Sequence, residues 1–128
     1  MKKKILLIIC FISLSFYSFS QNMKKVYSMS VLSYNEAKSD WIRDKTTYPK
    51  NLNVFIKGSE VLIVNEYEQK IFTYGNCEED KYETHISYGW NAIDKDGTKC
   101  YFIIKHFYNG QVIYMFIYNG VGVEYVME

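Results

Sequence analysis

Proline is almost missing from this chain: among 128 residues there is one, Pro49. Proline-rich linkers and polyproline segments are therefore excluded, and regular elements can run long without an internal break. Charge of one sign is missing too. Fifteen Lys and Arg face 14 Asp and Glu, a net charge of +1. Without a basic excess the chain has no electrostatic footprint for nucleic acid or for an anionic membrane surface. Histidine is scarce. His85 and His106 are the only two, and neither sits in a His-x-His or Glu-x-x-His spacing, so a zinc site is disfavoured. No nucleophile motif and no phosphate-binding glycine loop occurs, and the carboxylates gather in loop-like stretches such as Glu66-x-Glu68 and Glu78-Glu79-Asp80. The sequence therefore implies no enzyme, cofactor or metal.

A long apolar run is also lacking. The longest, residues 5–14, is too short to span a bilayer as a helix. It follows Lys2-Lys3-Lys4 and precedes Ser18-Phe19-Ser20, small residues at the −3 and −1 positions of a cleavage site. This order of charged, apolar and small segments is that of a Sec-type signal peptide covering residues 1–20. Cys10 lies inside the apolar run, not after it, which argues against a lipoprotein cysteine. The expected mature chain begins at Gln21 and is periplasmic or secreted, with no membrane span left. It is one domain of 108 residues, and with the three leader lysines gone its 12 basic and 14 acidic residues give −2.

What the sequence has in abundance is aromatic side chains: 13 Tyr, 8 Phe and 2 Trp, 18% of all residues. With many β-branched residues this is strand composition. Short apolar runs alternate with turn signals at roughly ten-residue spacing, the mark of an antiparallel meander. Strands are expected at 25–34, 53–57, 60–65, 70–75, 82–93, 99–108, 111–118 and 121–127. Asn109-Gly110 and Asn119-Gly120 are the strongest hairpin signals and suit type I′ turns; Lys57-Gly58-Ser59-Glu60 is a weaker one. Residues 35–45, NEAKSDWIRDK, read as a short helix or an ordered loop, with Asn35 as the helix N-cap. The expected fold is all-β: a meander of seven to eight strands forming a curved sheet or small barrel.

In 82–93, Tyr82, Thr84, Ile86, Tyr88, Trp90 and Ala92 share one face, while Glu83, His85, Ser87, Gly89 and Asn91 share the other. The first face belongs in the core and the second in water. His106, on the face of Phe102 and Ile104, is expected to be packed. The strands at 99–108 and 111–118 are apolar on both faces, so Ile103, Ile113, Met115 and Ile117 require a cover, with Trp41 as the expected lid.

The stretch AIDKDGTKCYF, residues 92–102, resembles the start of a calcium loop at Asp94 and Asp96. An EF-hand needs glycine at position 6 and glutamate at position 12, where this chain has Lys99 and Lys105. Asp-Gly between apolar runs is instead a hairpin turn. Cys77 and Cys100 bracket a long strand and are expected to stay unpaired thiols.

Tyr88, Trp90, Tyr101, Tyr108, Tyr114, Tyr118 and Tyr125 are the candidate ligand or interface residues, although core packing would explain them equally. Trp41, AIDKDGTKC and the aromatic strands of IYMFIYNGVGVEYVM together resemble small secreted β-proteins of uncharacterised function over residues 41–127. That resemblance implies an all-β fold and no activity. A non-enzymatic exported domain that binds a protein or a small apolar or aromatic ligand, or is structural in the envelope, is the leading expectation. A lipocalin-like small-molecule carrier is the alternative.

The leader is directly testable. Intact-mass measurement of the exported protein is expected to show a chain starting at Gln21, and one that retains Met1 or carries lipid on Cys10 would refute the assignment.

Overall fold

The computed structural model describes residues 23–128, so the expected leader lies outside the described part. Nine antiparallel strands follow one another: β1 (Met23–Asn35), β2 (Asp40–Thr47), β3 (Asn53–Lys57), β4 (Glu60–Val64), β5 (Glu68–Lys81), β6 (His85–Asp94), β7 (Lys99–Phe107), β8 (Val112–Ile117) and β9 (Val121–Met127). From β3 to β9 each strand pairs with the next. β1 closes the ring, pairing Met23–Lys25 with β3 and Val26–Ser33 with β9. β1 and β3–β9 thus make a closed eight-stranded barrel, and the two neighbours of β1 take different stretches of it because the strands are staggered and tilted.

β2 is the ninth strand and stands outside the ring. It pairs with Met29–Asn35 on the same edge of β1 that β3 uses lower down. The bond from Val26 N to Leu52 O (2.8 Å) continues that edge between them. The short helix considered for 35–45 is not formed: among the described residues there is no helix, and this segment is a turn followed by β2. Asn35 does cap, but it caps a turn. Its Oδ1 accepts from Lys38 N at 3.1 Å, and Ser39 completes the reversal with φ of 50°.

The hairpins fall where Asn-Gly and Asp-Gly stand, with a turn type other than the expected I′. At 107–111 and 94–98 only the glycine has positive φ, 95° at Gly110 and 84° at Gly97. Phe107 O accepts from Gly110 N, and Asp94 O from Gly97 N. This is a type I turn followed by a left-handed glycine bulge, the usual three-residue alternative. Asn119, likewise, has no positive φ.

Side-chain alternation sorts the walls. Facing inward are Val54, Val61, Ile63, Ile71, Ala92, Phe102, Ile104, Tyr114, Phe116, Tyr125 and Met127, all buried. Aromatic rings line the inner wall of β6 to β9. Trp90 stacks on Phe102 (centroids 5.7 Å) and Phe102 on Phe116 (4.8 Å), each pair directly cross-strand. Tyr125 meets Phe116 edge-on at 5.8 Å, and Tyr114 meets Phe102 edge-on at 5.9 Å. Offset and edge-on contacts of this kind add to the area term that each ring already supplies.

The outward face of β7–β9 and β1 forms a second apolar cluster. Leu32, Ile113 and Met115 are buried in it, and Trp41, Ile103, Phe107, Ile117 and Val126 pack against them. Trp41 is half-buried and meets Tyr34 edge-on at 5.4 Å, a lesser lid than a fully buried tryptophan would be. Glu124 is buried in the same wall, where Arg43 of β2 pairs with it.

One close approach fixes a residue choice. Gly89, buried on the outer face of β6, lies under the Tyr101 ring, and a Cβ there would stand 2.6 Å from Tyr101 Cζ. The Tyr101 hydroxyl is held by Glu78 at 3.1 Å. Gly89→Ala is therefore expected to cost about 1–3 kcal/mol by overpacking. In a Tyr101→Ala background most of that cost should vanish. Additive effects in denaturant unfolding of the single and double variants would refute the contact.

Candidate binding surfaces at the barrel rims

The upper rim carries the turns at 36–39, 65–67, 95–98 and 119–120, and the lower rim those at 58–59, 82–84 and 108–111. At the upper rim Asp94 ends β6. Its Oδ1 accepts from the backbone N–H of Asp96 and of Thr98, both at 2.9 Å. Its Oδ2 lies 3.4 Å from the Tyr118 hydroxyl. The carboxylate that resembled a calcium ligand is thus the anchor of its own turn, with its oxygens already engaged. Glu68, Lys70, Asp94, Lys95, Asp96 and Tyr118 line a cleft of about 200 Å³ here, with Gln69 and Ile71. Behind it the Cys100 thiol lies beside Tyr118. Burial pushes the Cys100 thiol up, Tyr118 offsets part of this and the Asp94 charge adds to it; the net rise favours the thiol over a nucleophilic thiolate. Burial also raises Tyr118, with smaller contributions from Cys100 and Asp94. Cys77 is exposed on β5, and both cysteines are free. Both thiols are unpaired as expected, though not through the length of a strand. Cys77 lies on β5 level with Gly89–Asn91, near the Ala92 that pairs with Cys100. The two are kept apart because Cys77 is exposed to solvent while Cys100 packs in the interior cluster.

At the lower rim the structure revises the expected faces. β6 begins at His85, so Tyr82 and Thr84 belong to the turn before it and not to the core face. Tyr82 is 53% exposed. His85 is not freely solvated: it stacks under Tyr82 (centroids 4.7 Å, 19° between planes), and Phe107 lies against it at 4.7 Å. Its Nδ1 is 2.9 Å from Thr84 Oγ1. Burial and the nearby Lys105 charge lower its pKa, which keeps the imidazole neutral and suited to stacking. His106 was expected to be packed but is exposed, since its inward position falls at the open end of β7, edge-on to Tyr88 at 5.8 Å.

The seven candidate aromatics do not gather into one surface. Tyr114 and Tyr125 are core residues, and Tyr88, Trp90 and Tyr118 pack half-buried against that core. Tyr101 covers Gly89 outside, and Tyr108 is exposed in the lower turn. The ledge of Tyr82, His85 and Phe107 was not among them. The available signal was three aromatic rings in the two segments that a hairpin sets side by side.

Comparison with protein families, with curated proteins and with solved structures finds no match to this chain.

Burial pushes the hydroxyls of Tyr114 and Tyr125 up from 10 to about 12. A pKa raised in the folded state gives stability that is complete below the unfolded value and is lost as pH rises through the folded one. The denaturation midpoint should therefore hold up to about pH 10 and fall between 10 and about 12. Tyr114→Phe should make that fall shallower. An identical alkaline profile in parent and variant would contradict the placement of this ring.

Proposed function

We propose that the chain is an exported, non-enzymatic binding module that meets its partner with its rims and outer surface, the barrel interior serving as scaffold. The observation that carries this reading is the filled interior. Trp90, Phe102, Phe116, Tyr114 and Tyr125 form a chain of ring contacts along the inner wall of β6 to β9, and Val54, Val61 and Ile71 of the facing wall belong to the same buried cluster, where a carrier would need open volume. The cleft at the upper mouth, about 200 Å³, is below the 300–1,000 Å³ typical of sites that enclose a small ligand. Export is supported by the order of the first 20 residues alone. A non-enzymatic role is supported by the engagement of the reactive groups: Asp94 in its turn, Cys100 buried as a thiol and His85 inside a stack.

A carrier reading keeps one point in its favour, because eight-stranded closure is the geometry that can hold one small ligand. The two readings separate by experiment. Native mass spectrometry of the purified protein, with uptake measurements for a fatty acid and an apolar fluorophore, is expected to find no stoichiometric guest. A one-to-one guest that quenches Trp90 would replace the surface-binding reading with the carrier.

A further inference from the structure

The lower-rim ledge has the properties of a site whose ligand is identifiable by chemistry. Tyr82 has one face against His85 yet is 53% exposed, so the solvent meets mainly its other face. The backbone fixes the ring's base: Tyr82 N donates to His85 O at 2.8 Å, and Tyr108 N donates to Thr84 O at 3.2 Å. His85 supports the ring from beneath and is itself backed by Phe107. A flat aromatic face held in place before binding has little conformational freedom left to lose.

We propose that this ledge binds carbohydrate, the free face of Tyr82 receiving a pyranose ring of an uncharged oligosaccharide. This rests on the reading that binding takes place on the outer surface. The C–H groups on one side of a pyranose are electropositive and match the negative face of the ring. The sugar hydroxyls require polar partners at the ring's edge, and Glu83 and Thr84 follow Tyr82 directly in the chain. Charge bears on the class of sugar. Glu79, Asp80 and Glu83 are matched by Lys81, Lys105 and Lys24, the last two acting on His85 and His106, so the rim has no basic excess to hold uronates, phosphates or nucleic acid. Size excludes a protein as the occupant of the ledge alone. A stable protein interface takes about 800 Å² per partner, whereas a tyrosine offers at most about 150–250 Å². One or two sugar rings fit that area.

The test is an amide-resolved NMR titration of the protein with cellohexaose and chitohexaose, and with oligogalacturonate as the acidic counterpart. Shifts centred on Tyr82, Thr84, His85 and Tyr108 are expected with a neutral oligosaccharide, at a Kd around 1 mM, and none with the uronate. Tyr82→Ala should weaken binding about tenfold or more, and Tyr82→Phe should keep it, because the ring face and not the hydroxyl makes the contact. Tyr27→Ala, at another exposed tyrosine, should change nothing. The proposal is overturned if neither neutral oligosaccharide moves the ledge resonances, or if Tyr82→Ala binds as the parent does. Either failure leaves the surface-binding reading standing, whereas a guest inside the barrel would remove that reading first.

Discussion

Main-chain hydrogen bonding along β1 is the constraint on which the rest of the structure depends. One edge of this strand is taken by β9; the other is shared by β3 below and β2 above. Without that sharing, β3 and β9 would be open sheet edges carrying unpaired N–H and C=O groups, and the inward face would have no opposite wall. Closure puts Val54 and Val61 from one side of the sheet into the same cluster as Phe116 and Tyr125 from the other. β2 follows from the same strand. It extends the sheet beyond the ring and brings Arg43 to Glu124, a carboxylate that would otherwise be buried in an apolar wall without a partner.

The chemistry divides accordingly between the inside and the rims. Inside, large rings match across β6, β7 and β8 because their registers place Trp90, Phe102 and Phe116 directly opposite one another. Such packing gives rigidity and stability. At the rims, turns hold polar and aromatic groups in fixed positions. Asp94 is committed to its turn at the top, and Tyr82 keeps a free face at the bottom. Asp94 and the Cys100 thiol, which attract notice in the sequence, are engaged within the fold, and the ring proposed to receive a ligand is one the sequence hides.

Much of the architecture was legible. Period-two alternation and the Asn-Gly and Asp-Gly steps located the last four strands closely, because both signals are local. The segment of β2 was read as a short helix or an ordered loop because Asn35 satisfies the helix N-cap rule, and what overrides it is pairing with β1, which no window of residues 35–45 contains. Closure was left open between curved sheet and barrel for the same reason, since it depends on β1 meeting β9. The ledge was missed through a boundary error of three residues. Tyr82 shares the parity of Ile86 and Tyr88, but the strand starts at His85 and alternation does not extend into the turn.

The meeting of β1 and β9 also governs how the chain must fold. Val26 lies opposite Met127, and Glu128 N bonds Lys25 O at 3.0 Å, contacts about 100 residues apart in the chain that carry the entropy of closing a very long loop. The meander from β3 to β9 can assemble from neighbouring hairpins, but the ring cannot lock before its final strand exists, and topologies with such distant contacts fold slowly. The same adjacency makes the order of strands dispensable. A circular permutant that joins Met23 to Glu128 through a short linker, and opens instead at the exposed turn at 65–67, would keep every ladder while turning the most distant pairing in the barrel into a local one.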